Sequence, residues 1–151
     1  VIHPGTNGKM PEIAAAMGLT NLPGLGQLVE ENRAVHASYA TALDDVPGID
    51  LLQPDPRERS NHQYVVAMVE DGAEVRNEVI TALHGIGVLA RRYFWPGVHQ
   101  MRPYAVRTDH GPLPATLWVA DRVLVLPGGP SITDEDVARI TATIVEASRA
   151  D

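Results

Sequence analysis

The apolar positions of this chain change period several times, and each change predicts an element. Leu28, Val35, Tyr39 and Leu43 fall on one stripe, at spacings of seven, four and four. That pattern predicts a long helix over residues 23–43, roughly 30 Å in length. Pro47-Gly48 ends it, and residues 50–60, with Pro54 and Pro56, read as an exposed connector. Ahead of the long helix, residues 11–17 suit a short helix, with Pro11 in its first turn and Gly18 at its end. Tyr64 to Val69 is an unbroken apolar run, as expected of a strand covered on both faces. Asp71-Gly72 turns the chain. Val75, Val79, Leu83 and Ile86 then mark an amphipathic helix, and Val88 to Tyr93 reads as a second strand.

Residues 94–113 hold several prolines and glycines and no clear period. A loop of this length in a compact domain is often functional. Pro114 to Ala120 predicts a short helix and Arg122 to Leu126 a third strand, closed by Pro127-Gly128-Gly129-Pro130. Thr133 to Asp136 has the form of a capping box. Val137, Ile140 and Ile144 form the buried stripe of the last helix. The order of elements predicts an α/β fold: a small, largely antiparallel three-stranded sheet packed with helices on one face.

Composition narrows the function. At 151 residues and 44% hydrophobic content the chain can bury a core as one domain. It has no apolar run near the ~20 residues needed to cross a bilayer, so no membrane association is expected. Twelve basic against nineteen acidic residues give a net charge of −7. Nucleic acid is an unfavourable partner for such a surface. The absence of cysteine excludes disulfides and thiolate metal sites and fits a cytoplasmic protein. His3, His36, His84 and His110 are scattered without metal-ligand spacing, so no metal site is expected. No nucleophile elbow, P-loop or dinucleotide fingerprint is present. Gly128-Gly129 before the last helix could hold an anion, but reads more simply as a turn.

Several short segments occur in a telling order. Gly5-Thr6-Asn7-Gly8-Lys9-Met10 is followed by Glu12 to Leu19. Asn61-His62-Gln63-Tyr64 opens a strand. Gly85 to Tyr93 leads into Pro96-Gly97-Val98-His99 and Pro103-Tyr104, and Val123 to Pro127 precedes Thr133. Each segment alone is weak. Together, in order and spacing, they resemble the C-terminal small domain of the DegT/StrS-type sugar aminotransferases, fold type I enzymes that use pyridoxal phosphate (PLP). The likeness covers nearly the whole chain. It departs at Trp95-Pro96-Gly97, where the family often has a tyrosine-proline pair.

The resemblance implies a division into a junction segment, residues 1–22, at the interdomain and dimer boundary, and a small domain, residues 23–151. It also implies that the N-terminal PLP-binding domain, with its Schiff-base lysine and the carboxylate for the pyridine nitrogen, is absent from this chain. No catalytic residue is therefore assigned. Asn7 matches the asparagine that reaches the PLP phosphate of the neighbouring subunit, a role that fits a neutral amide donor. Read from residue types alone, Asn7 beside Gly5 and Gly8 is a turn former. Lys9 is the only lysine, but it precedes a helix and has no acidic partner nearby in sequence, so a covalent role is not expected.

Tyr93, Trp95, His99 and Arg102 match the loop that closes over the substrate in the family. Aromatic rings can stack on a sugar or base, and arginine can hold a diphosphate bidentately. The plainer reading is that the aromatic residues anchor the loop to the core. Asn61 and His62, ahead of the strand, would face the cleft, or Asn61 would only cap the strand entry. The implied enzyme moves an amino group, with glutamate as the expected donor, to a keto group of a nucleotide-linked deoxysugar. It would work as a homodimer with its N-terminal domain, and this part alone would be inactive. The alternative is a non-catalytic, small-molecule-binding regulatory module, because fold does not fix function.

Overall fold

The computed structural model describes residues 8–106 and 111–149. Helix α1 (Glu12–Asn21) runs through a 3-10 turn (Leu22–Gly24) into helix α2 (Leu25–Leu43). Strand β1 (Ile49–Leu51), strand β2 (Val65–Val69), helix α3 (Ala73–Gly85), helix α4 (Pro114–Ala120), strand β3 (Val123–Leu126) and helix α5 (Asp134–Ala147) follow. The three strands form one antiparallel sheet in the order β1-β2-β3. Ile49 pairs with Val69 and Val65 with Leu126.

Tyr64 to Val69 thus supplies the central strand, as the apolar run predicts. Its burial is one-sided, however. Val65, Ala67 and Val69 are buried while Val66 and Met68 are only half-buried. The side-chain period of two puts alternate residues on opposite faces, and α2, α3 and α5 share a core with one of them. Tyr39 and Leu43 of α2, Val79 and Leu83 of α3, and Ile140 and Ile144 of α5 meet Val65, Ala67 and Leu124 there.

Two expectations about strands need correction. Residues 88–93 do not form a strand of the sheet. Only Arg91 bridges to Val125, through paired backbone hydrogen bonds of 3.0 and 2.7 Å. Turns close on both sides of Arg91: the Ala90 N–H donates to the Val88 carbonyl at 3.0 Å and the Trp95 N–H to the Arg92 carbonyl at 2.9 Å. The sheet's third member is β1, within what reads as a turn and connector. Three residues are too few to display alternation, and only pairing with β2 identifies them.

The α2 stripe also departs from expectation at one end. Val35, Tyr39 and Leu43 are buried, but Leu28 is 42% exposed. The first turns of α2 project past the core, as does α1, which buries no residue. Ile13, Met17, Leu19, Leu22 and Leu25 are all exposed there. On α3, Ile86 lies just past the helix end and is exposed, whereas Arg76 is fully buried. The capping box at α5 forms: the Thr133 hydroxyl accepts from the Asp136 N–H at 3.1 Å, and Asp136 accepts from the Thr133 N–H at 3.2 Å.

Candidate functional site

The loop after α3 and the entry to β2 converge on one patch of aromatic and polar side chains. Tyr64, immediately before β2, is 56% exposed. Its ring meets that of Tyr93 edge-on, with centroids 6.4 Å apart at 86°. Phe94 stacks on the other side of Tyr93, 5.1 Å between centroids and 21° between planes. Arg91 donates to the Tyr93 hydroxyl, and its guanidinium lies 5.7 Å from the ring centroid. Tyr93 is therefore in contact with three neighbours, Tyr64, Phe94 and Arg91.

Trp95 is held differently. The Arg92 guanidinium lies 4.6 Å from the indole centroid, within cation–π range. Trp95 remains 41% exposed and Phe94 70%, so an aromatic surface faces outward. His99 is half-buried in a 3-10 turn (Val98–Gln100). Gly97, at φ +92°, lets the ring lie close to the backbone. A Cβ at Gly97 would come within 2.9 Å of His99 Cε1. Arg102 is exposed in the stretch that follows.

Asn61, in the segment before β2, belongs to a second cluster. Its side-chain oxygen accepts from the Gln63 N–H at 3.1 Å, and its carbonyl accepts from the Asn32 amide of α2 at 3.2 Å. Asn61 thus closes a turn and ties it to α2. His62 adopts φ +48° and its ring meets His36 edge-on at 5.3 Å. His36 is buried, with Nε2 3.3 Å from the Leu52 carbonyl. Burial lowers its pKa; the Leu52 carbonyl opposes that shift and a charge on His62 would add to it. A cavity of about 220 Å³ opens among His36, Leu52, Ser60, Asn61, His62 and Tyr64.

The fold therefore brings Asn61 to Tyr93 through Tyr64, and gathers Trp95 and His99 along the same loop. A larger hollow of about 610 Å³ between α1 and α2 is lined by Gly18, Asn21, Leu22, Gly24, Leu25 and Leu28. It holds no titratable side chain and offers no chemistry. Asn7 lies outside the described residues. Lys9 is exposed in the segment before α1. Among the described residues no three His, Cys, Asp or Glu side chains cluster as metal ligands, and no helix is long and apolar enough to cross a membrane.

Sequence reading missed Tyr64, Arg91, Arg92 and His36 as members of this patch. For Arg92 a signal existed: it lies three residues before Trp95 in a tight turn, closed by the Trp95 N–H to the Arg92 carbonyl at 2.9 Å. His36 carries no local signal, since its partner His62 is distant in sequence.

Residues 1–145 match the DegT/DnrJ/EryC1/StrS aminotransferase family. The chain belongs to this family. An Escherichia coli relative, dTDP-4-amino-4,6-dideoxy-D-glucose transaminase, is 31% identical over 148 residues, covering 96% of this chain and 40% of the relative. The Shigella dysenteriae enzyme of the same name is 29% identical over 143 residues, covering 94% of this chain and 39% of its own length. Among solved structures, DesI with its TDP-sugar product superposes with a TM-score of 0.86 at 41% identity, over 96% of this chain and 38% of DesI. DesV of S. venezuelae, in complex with a ketimine intermediate, gives 0.83 at 27% identity, over 99% of this chain and 40% of DesV. The chain spans about 40% of the length of the curated relatives it matches. Its three-stranded antiparallel sheet and helices are a fold shared with these solved structures.

Proposed function

We propose that this chain is the C-terminal small domain of a PLP-dependent enzyme that transfers an amino group from an amino acid, glutamate, to a keto group of a nucleotide-linked deoxysugar. The names of the relatives favour a dTDP-linked sugar. The observation that carries this reading is the outward aromatic surface of Phe94 and Trp95, with the Arg91 and Arg92 guanidinium groups against Tyr93 and Trp95 in a chain of net charge −7. Aromatic faces suit a sugar or base, and guanidinium groups suit the diphosphate between them.

The described residues do not fit PLP itself. A lysine that engages this cofactor works from a water-shielded pocket, with an acidic partner for the ring nitrogen. Lys9 is exposed in coil. In this reading the cofactor belongs to an N-terminal domain beyond this chain, and Asn7 lends its amide to the phosphate in a neighbouring subunit of a cytoplasmic homodimer. The exposed apolar residues of α1, the 3-10 turn and early α2, Ile13, Met17, Leu22 and Leu25, would be covered by that domain or subunit.

The residues of this chain then act on the substrate side. Trp95 and Phe94 present apolar faces to the sugar nucleotide and displace water from it. His99, seated against Gly97, offers a ring nitrogen as a hydrogen-bond partner. Asn61 holds the floor of the adjoining cavity.

The test is amino transfer from glutamate to a dTDP-linked keto-deoxyhexose by the complete protein. Trp95→Ala and His99→Ala should raise KM for the sugar more than they lower kcat. Failure to aminate any nucleotide-linked keto sugar would refute the reading. This chain alone, mixed with PLP, should give no absorption band that survives dialysis.

A further inference from the structure

Arg76 is the largest fully buried side chain of the domain, yet it is a cation. Its Nη1 donates to the Ala120 and Val123 carbonyls at 3.0 and 3.1 Å, pinning the turn between α4 and β3. Its Nε donates to the side-chain oxygen of Asn77 at 3.0 Å. That same oxygen also lies 3.4 Å from Arg92 Nη1. Arg92 in turn covers the Trp95 ring at 4.6 Å.

Two guanidinium groups thus converge on one neutral acceptor. Burial lowers the pKa of Arg76, the charge of Arg92 adds to that, and Asp121 opposes it. An acceptor shared by both cations offsets their repulsion and orients each. Arg76 is anchored through Nη1, which two backbone carbonyls hold, while its buried Nη2 has no partner among the described residues. Rigidity therefore passes outward from the core, through Asn77, to Arg92 and the indole.

We infer that Asn77 is a positioning residue for the substrate-facing loop. It couples the buried Arg76 to Arg92 and so fixes Trp95 in the orientation that a sugar nucleotide meets. The role of Trp95 toward substrate rests on the function proposed above; the coupling itself does not.

The experiment is backbone amide exchange in the complete protein, read at residues 93–100 and, as control, at β2. Asn77→Ala should speed exchange in the loop by about two- to tenfold, the range set by one hydrogen bond's net contribution, and leave β2 protected. Asn77→Asp, which keeps the acceptor, should restore the slow rate. Arg92→Leu leaves the Arg76 hydrogen bonds to Asn77, Ala120 and Val123 in place. It should loosen the loop by itself, and Asn77→Ala should add nothing further on top of it. An unchanged loop in Asn77→Ala, equal acceleration in β2, or additive effects of the two substitutions would each overturn the coupling. A loosened loop with an unchanged KM for the sugar would uphold the coupling and refute the role of Trp95 in substrate binding.

Discussion

The Tyr64 and Tyr93 rings meet edge-on, 6.4 Å between centroids, and this contact joins the entry of the central strand to the loop after α3. The two residues belong to different elements, and no backbone ladder links them. Aromatic pairs in this geometry contribute about 0.5–1.5 kcal/mol beyond area burial. Tyr64→Ala and Tyr93→Ala should therefore be non-additive by about that amount in a double-mutant cycle of urea unfolding. Full additivity would mean that the Tyr64 ring contributes nothing to holding Tyr93.

Gly97 should not tolerate a side chain. Its backbone, at φ +92° and ψ 144°, lies near a region open essentially to glycine, where other residues cost on the order of 1–3 kcal/mol. A Cβ would also press on His99 Cε1 at 2.9 Å and displace the ring. Gly97→Ala should lower stability and, in the complete enzyme, raise KM for the sugar as much as His99→Ala does. A Gly97→Ala enzyme with normal KM would show that the position of His99 is unimportant.

Tyr39 should be improvable. Its ring is fully buried in the core, and its hydroxyl finds no hydrogen-bond partner among the described residues. Burial pushes its pKa up, with the Asp136 charge adding to the effect. An unsatisfied buried hydroxyl costs about 1–3 kcal/mol. Tyr39→Phe keeps the ring volume and removes that cost, so the thermal midpoint should rise. A fall would show that the hydroxyl is satisfied, for instance by a buried water.

Stability should depend on His36 in mildly acidic solution. Burial sets its folded pKa below the ordinary value of 6.5. Between those two pKa values the unfolded chain binds more protons than the folded one, so acid favours unfolding. The contribution from neutral His36 is complete above 6.5 and is lost as pH falls below it towards the folded pKa. His36→Gln should flatten this part of the stability profile, measured by denaturant unfolding across pH 5–8. An identical slope in wild type and variant would assign the effect to other groups.

Repetition along the chain determined the helices and the central strand. The stripes of α2 and α5, the run from Tyr64 to Val69 and the Thr133 cap are all local patterns, and a helix or strand that buries one face must display them in sequence. The ordered motifs, from Gly5-Thr6-Asn7 to His99, likewise determined the family. Tertiary structure alone decided the rest. Strand β1 exists because β2 offers it hydrogen bonds. Val88 to Tyr93 fails as a strand because turns close on both sides of Arg91, from the Ala90 N–H to the Val88 carbonyl and from the Trp95 N–H to the Arg92 carbonyl. Arg76 is buried because α4 and β3 close over it with two carbonyls. Tyr64 with Tyr93 and His36 with His62 are likewise pairs of distant residues, and no period along one segment encodes them. Local periodicity reports which face is buried; what lies against that face is set only when the elements pack.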